Sequence, residues 1–171
     1  MPLRPGTART TARRAALAAA TASAAVLVTL ALPAVASAAA PTTPFISEIH
    51  YDNAGTDAGE FVEVQLPPGT SSAGLRVVLY AGSSTTVYDT DALPAVTAEA
   101  GAPGVAVVDY PVNGLQNGSP SGVALVDACG KVLEFLSYEG TLTAADGPAL
   151  GMTSTNIGVS AAGTEPVGQS L

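Results

Sequence analysis

FISEIHYDNAGTDAGEFVEVQL, residues 45–66, decides the fold, and the remaining chain is read outward from it. Over 60–66 the residues alternate. Val62, Val64 and Leu66 share one face and Phe61, Glu63 and Gln65 the other, the period of a half-buried strand. Asn53, Gly55 and Gly59 are turn formers, so 52–59 reads as a loop between that strand and an earlier one over 45–51. The stretch holds five of the fourteen carboxylates and the single histidine, His50. Glu48 has the parity of Ile46. That predicts a partly inward carboxylate that needs a partner, either His50 on the same strand face or Arg76 or Lys131 from elsewhere.

Downstream, short apolar runs are punctuated by turn residues, within a chain of eighteen glycines and thirteen prolines. LRVVLYA, 75–81, is nearly continuous in its apolar character and predicts a central strand covered on both faces. Further strands are predicted over 85–89 and over 105–110, where Pro111 stops the run. A hairpin is predicted from 122–127 to 132–138 across Ala128, Cys129 and Gly130. Residues 140–154 read as a long loop and 155–159 as one more edge strand. No amphipathic helix of useful length is present. The pattern predicts an all-β domain over 41–171, an immunoglobulin-like sandwich, with a jelly roll or small barrel as the alternatives.

The N-terminus has a different composition. Arg4, Arg9, Arg13 and Arg14 precede an apolar run over 15–32, then Pro33 and the small residues Ala36, Ser37 and Ala38. That order predicts a signal peptide over 1–40, cut after Ala38 or Ala40, and hence a secreted, extracellular domain with no membrane association after cleavage. The run is about as long as the shortest spans, but its alanines and its cleavage site favour removal over anchoring. The Arg13–Arg14 pair leaves twin-arginine export as the alternative to the general route. Four of the six basic residues lie in this segment and none of the fourteen acids, so residues 41–171 keep Arg76 and Lys131 against fourteen carboxylates, a net charge of −12. Such a surface repels phosphate backbones, so this domain by itself is not expected to bind nucleic acid.

SEIHYDNAGTDAGEFVEV, LRVVLY, GLQNGSPSGVALVDACGKVLEFLSYEG and DGPALGMTSTNIGVSAAGTEPVGQSL together resemble a lamin-tail domain. The resemblance is to the bacterial kind at the N-terminus of secreted nucleases, where a metal-dependent domain of the endonuclease/exonuclease/phosphatase class follows. It covers nearly all of 45–171 and implies an immunoglobulin-like sandwich with an accessory role. In such relatives the VGQSL segment runs on into a further strand and the catalytic domain. Because this sequence stops at Leu171, the expectation is that the last strand is clipped and the catalytic domain absent. A second departure is Cys129, where relatives carry a small polar turn residue.

Chemistry within 41–171 is sparsely provided for. Nuclease chemistry needs a base, a carboxylate-held metal and cationic or amide groups at the phosphorane. One histidine, one lysine and one arginine are available. Strand alternation is expected to put Ser47 and His50 on opposite faces, and no G-x-S-x-G elbow is present. The candidate site is instead the acidic loop. Asp52, Asn53, Asp57 and Glu60 supply hard oxygens around two glycines, the chemistry calcium prefers, although the spacing is not that of the helical calcium loop. The competing reading has these side chains capping their own backbone. Cys129, a single thiol in a predicted turn, excludes an intramolecular disulfide and leaves a Cys129-linked dimer as an expectation in air. Two functions therefore stand side by side. One is a non-catalytic accessory module of an extracellular nuclease. The other is a free-standing secreted binding or adhesion module, calcium-binding in one version, with a protein or cell-surface partner.

Overall fold

The computed structural model describes residues 41–118 and 120–171. The signal-peptide reading of residues 1–40 lies outside them. The described residues form eight strands: β1 (Phe45–His50), β2 (Phe61–Leu66), β3 (Arg76–Tyr80), β4 (Val87–Ala92), β5 (Gly104–Asp109), β6 (Ser121–Val126), β7 (Val132–Tyr138) and β8 (Thr155–Asn156). Among them there is no helix long and apolar enough to cross a membrane. One sheet has the order β1-β2-β5 and the other β4-β3-β6-β7-β8, which makes the domain an all-β, two-sheet sandwich. All pairings are antiparallel except β7 with β8.

The alternation of β2 positions it as expected. Val62, Val64 and Leu66 are fully buried while Phe61, Glu63 and Gln65 are half-buried. They meet Ile46, Ile49, Ala106 and Val108 from their own sheet and Val77, Leu79, Val123 and Leu125 from the facing one in a single core. Burying such side chains is the main favourable term, worth roughly 1.5–3 kcal/mol each.

β3 and β6 are buried on both faces because there is a second, smaller core. Val78, Tyr80, Ala124, Val126 and Phe135 turn away from the sandwich interior and pack beneath Leu142, Ala144 and Ala149. The segment read as a long loop over 140–154 therefore works as a cover. A Thr143–Thr153 bridge closes it, and the Tyr80 hydroxyl accepts the Ala149 N–H at 3.0 Å. Space under the cover is tight at Gly122, where a Cβ would sit 3.0 Å from Leu142 and 3.2 Å from Phe135.

Three strand expectations shift, and of the edge strand expected over 155–159 only Thr155–Asn156 pairs. β4 begins at Val87, not at 85, because a tight turn consumes the residues between. Thr85 takes a φ of 58° and donates its N–H to Ala81, whose own N–H bonds Thr86. In β1 a bulge between Ile46 and Glu48 breaks the alternation, so that Ile46 pairs with Val64 and Ile49 with Val62. Both isoleucines thus face the core although they are three residues apart. Glu48, expected partly inward, is set opposite Glu63 on the outer face. Its carboxylate accepts the Ser170 hydroxyl at 2.6 Å, while Glu63 accepts that of Ser47 at 2.7 Å. The parity argument that separated Ser47 from His50 fails for the same reason. The Ser47 hydroxyl is in any case engaged by Glu63, so it forms no nucleophile–base pair with His50.

Candidate functional site: the acidic loop and its tyrosines

The loop between β1 and β2 is held by its own polar side chains. Asn53 Oδ1 accepts the Ala58 N–H at 3.0 Å, and its Nδ2 donates to the Thr56 carbonyl at 3.1 Å and the Ala54 carbonyl at 3.3 Å. The Asn53 N–H donates to Asp57 Oδ1 at 3.2 Å, and Asn117 Nδ2 donates to Asp57 Oδ2 at 2.6 Å. Glu60 is fully buried. Its Oε2 accepts the Gly114 N–H at 2.7 Å and its Oε1 the Leu115 N–H at 3.2 Å. The start of β2 is thereby stapled to the segment after β5. These are the backbone-capping roles short polar side chains take in turns, here extended across the fold.

Of the four residues read as calcium ligands, Asn53, Asp57 and Glu60 therefore have their oxygens on protein donors. Asp52 stands apart. Burial first, and then the neighbouring Asp57 carboxylate, push its pKa above the ordinary value. Gly163 lies beside it, where a Cβ would be in ordinary van der Waals contact with Asp52 Oδ1 at 3.5 Å. Among the described residues no three Asp, Glu, His or Cys side chains gather in a metal-holding group. What the arrangement does chemically is bind backbone amides and so fix the loop.

Burial also pushes the Glu60 pKa up, even though the two N–H groups that donate to it pull the other way. The cost of removing this carboxylate from water thus exceeds what those bonds return. His50 is fully buried, stacks on Phe61 with ring centroids 6.0 Å apart, and has no hydrogen-bond partner at either ring nitrogen. Enclosed in this way it has no access to a substrate.

No spacing in the sequence marks the tyrosines beside the loop. Tyr51 follows β1 and stacks on Tyr138 at the end of β7, centroids 3.8 Å apart and planes 13° from parallel. The Tyr51 hydroxyl donates to Glu139 at 3.2 Å and accepts the Ala161 N–H at 2.8 Å. The Tyr138 hydroxyl donates to the Gln116 carbonyl at 2.6 Å, and the Tyr88 hydroxyl accepts the Gln116 N–H at 3.1 Å. Burial raises the Tyr51 and Tyr138 phenols well above their usual range and Tyr88 to about 12. All three stay protonated near neutrality and tie the two sheets to the loops. The one signal in the sequence was scarcity, since eight aromatic residues and no tryptophan must supply every large core side chain.

Cys129 lies exposed in the β6–β7 turn, as expected, with its N–H held by Asp127 Oδ1 at 2.9 Å. Comparison with protein-family models, curated proteins and solved structures finds no match to the chain.

Proposed function

We propose that this chain is a secreted, non-catalytic module, an immunoglobulin-like sandwich of the lamin-tail kind, that acts as the accessory domain of an extracellular nuclease. The observation that carries the non-catalytic part is where the reactive side chains are spent. Asn53, Asp57 and Glu60 hold backbone and amide groups, and the one imidazole is enclosed. A catalytic site needs such groups convergent and accessible. The secreted part rests on the order of basic, apolar and small residues over 1–40, and the nuclease association on the resemblance of four separated motifs. Fold alone assigns no function, so each part takes its own test.

Expressed as the whole chain in a bacterial host, the protein is expected in the medium, beginning at Ala39 or Pro41. It is expected to leave DNA and RNA intact with magnesium, manganese or calcium present. Retention of an uncut chain in the cells would refute secretion. Metal-dependent hydrolysis that disappears in His50→Ala would refute the non-catalytic reading. Reading the gene beyond the Leu171 codon separates the accessory role from a free-standing binding module. An open frame into a domain rich in His, Asp and Asn supports the first, and a stop codon there the second.

A further inference from the structure

Four strands end the two sheets, β1 and β5 in one and β4 and β8 in the other. Three of these edges are closed or short. On β1, Leu171 exchanges both backbone bonds with Ile49, and Glu134 accepts the Ile46 N–H. On β4, the Val87 and Thr90 N–H groups donate to Asp146 and Asp89 at 2.7 and 2.8 Å. β8 has only two residues. Such devices keep strand edges from pairing with other chains. β5 carries none of them among the described residues. Just beyond it, Tyr110 donates its N–H to the Glu60 carbonyl at 2.9 Å, which makes Glu60–Tyr110 a hydrogen-bonded position. The register carries that pattern to Val62–Val108, Val64–Ala106 and Leu66–Gly104. The N–H and C=O groups of Val105, Val107 and Asp109 therefore point away from β2, and among the described residues none of them meets a partner. Ala106 and Val108 face the core, so the side chains of the same three residues lie on the outer face. Val105 is 46 % exposed there, Val107 half-buried and Asp109 exposed.

We propose that β5 pairs antiparallel with β5 of a second copy of this chain, about a two-fold axis through Val107, and joins the two three-stranded sheets into one. The strand is its own complement. Pro103 and Pro111 stand four residues to either side of Val107, and neither has an N–H to give, so they bound the open stretch symmetrically. In this register Val107 meets the partner's Val107, and Val105 meets the partner's Asp109 on both sides of the axis. All of these are hydrogen-bonded positions, so every open N–H and C=O of Val105, Val107 and Asp109 gains a partner. A register centred on Ala106 instead sets Asp109 against Pro103, which cannot donate. The two Asp109 carboxylates end up roughly 14 Å apart along the ladder, at about 3.4 Å per residue. That exceeds the Debye length of about 8 Å at physiological salt, so they do not oppose the contact there. A cationic peptide fits the edge less well, since two of the three open positions carry valine and the carboxylate stands only at the end. The net charge of −12 over 41–171 on each copy opposes association as a whole and gives it a salt dependence.

Pairing of this kind is independent of what the module does. Sedimentation equilibrium on the purified whole chain, with a reductant present and again in Cys129→Ser, reads it apart from any disulfide. A monomer–dimer equilibrium is expected with a dissociation constant on the order of 0.1 mM, because one short strand buries less than a standard interface. It is expected to tighten as sodium chloride rises from about 20 to about 500 mM, since salt screens the like net charges. Val107→Lys sets two cations against each other on the axis, while Glu63 beside it in β2 supports the fold of each copy. It is expected to weaken the dimer about tenfold with an unchanged circular dichroism spectrum. Val105→Lys sets a cation opposite the partner's Asp109 on both sides of the axis and is expected to tighten the dimer several-fold. Amide exchange at Val105, Val107 and Asp109 is expected to slow as protein concentration rises, and at Ala106 and Val108 to stay constant. A chain that remains monomeric up to about 1 mM, a dimer indifferent to Val107→Lys, or one weakened by Val105→Lys overturns the pairing. Should Val107→Lys fail to fold, Val105→Lys and the exchange pattern decide. Association lost in Cys129→Ser belongs to the thiol and also overturns it. A monomer that binds a peptide alternating valine and lysine, with protection of the same three amides, assigns the edge to a partner protein and overturns the second copy.

Discussion

Replacing Glu60 separates a loop held together by its carboxylates from a loop that holds a ligand. The side chain is fully buried and accepts the Gly114 and Leu115 N–H groups. Hydrogen bonds to a charged group contribute roughly 1.5–3 kcal/mol each, and a buried N–H left without a partner costs about 1–3 kcal/mol. Leu115 is 1 % exposed and has no route to water, whereas Gly114 is partly exposed and regains some hydration. Against these losses stands the relief of an ion whose burial raises its pKa, which removes part of the gain from both bonds. Glu60→Ala is therefore expected to cost about 3 kcal/mol. In Glu60→Gln the amide oxygen keeps one bond and the NH₂ opposes the other donor, for about half that loss. Urea denaturation at neutral pH reads both values from the shift in midpoint at constant slope. A loss below about 0.5 kcal/mol for Glu60→Ala would refute the staple, since that is the scale of ordinary surface changes. A calcium-dependent rise in the wild-type midpoint, absent in Glu60→Gln, would show that the loop serves a cation instead.

Asp52, Glu60, Asp91 and Glu134 all have pKa values raised above the ordinary carboxylate range, with burial the first cause in each. A raised folded-state pKa means the native state holds its proton more tightly. This stabilisation is complete below the unfolded values and is lost as pH rises through the folded ones, so the urea midpoint is expected to be higher near pH 4.5 than near pH 8, and the reverse order would contradict it. Glu48→Gln removes one charge of a like-charged cross-strand pair while keeping an acceptor for the Ser170 hydroxyl, and is expected to stabilise the fold by about 0.2–1 kcal/mol, read as a higher melting temperature. Gly122→Ala places a methyl against Leu142, Phe135 and Tyr80 and is expected to destabilise by about 1–3 kcal/mol; an unchanged midpoint would mean that the cover over the outer face yields. On a non-reducing gel after exposure to air, a disulfide-linked dimer is expected that Cys129→Ser removes, and monomer alone would dismiss it.

Local alternation was enough to place β2, because a strand buried on one face must repeat every second residue, and Val62, Val64 and Leu66 do. Continuous apolar character marked β3 as central, and it pairs on both sides. The reason it must be apolar throughout was not legible there. The second core depends on residues 142–149 returning over Tyr80 and Phe135, a contact of long range that no local period encodes. The bulge in β1 was hidden for a related reason. It is a mismatch between two strands, and FISEIH has a parity of its own that only pairing with β2 overrides. The acidic loop was legible as polar turn chemistry. Whether its oxygens face a ligand or a backbone was decided by the segment after β5, which brings the N–H groups of Gly114 and Leu115 and the amide of Asn117 to Glu60 and Asp57. The sequence by itself determined an acidic, all-β domain and most of its strand positions, because periodicity and turn propensity act over a few residues. Only the tertiary structure decided which carboxylates are spent and that the one imidazole is enclosed, because those depend on chain segments brought together from far apart.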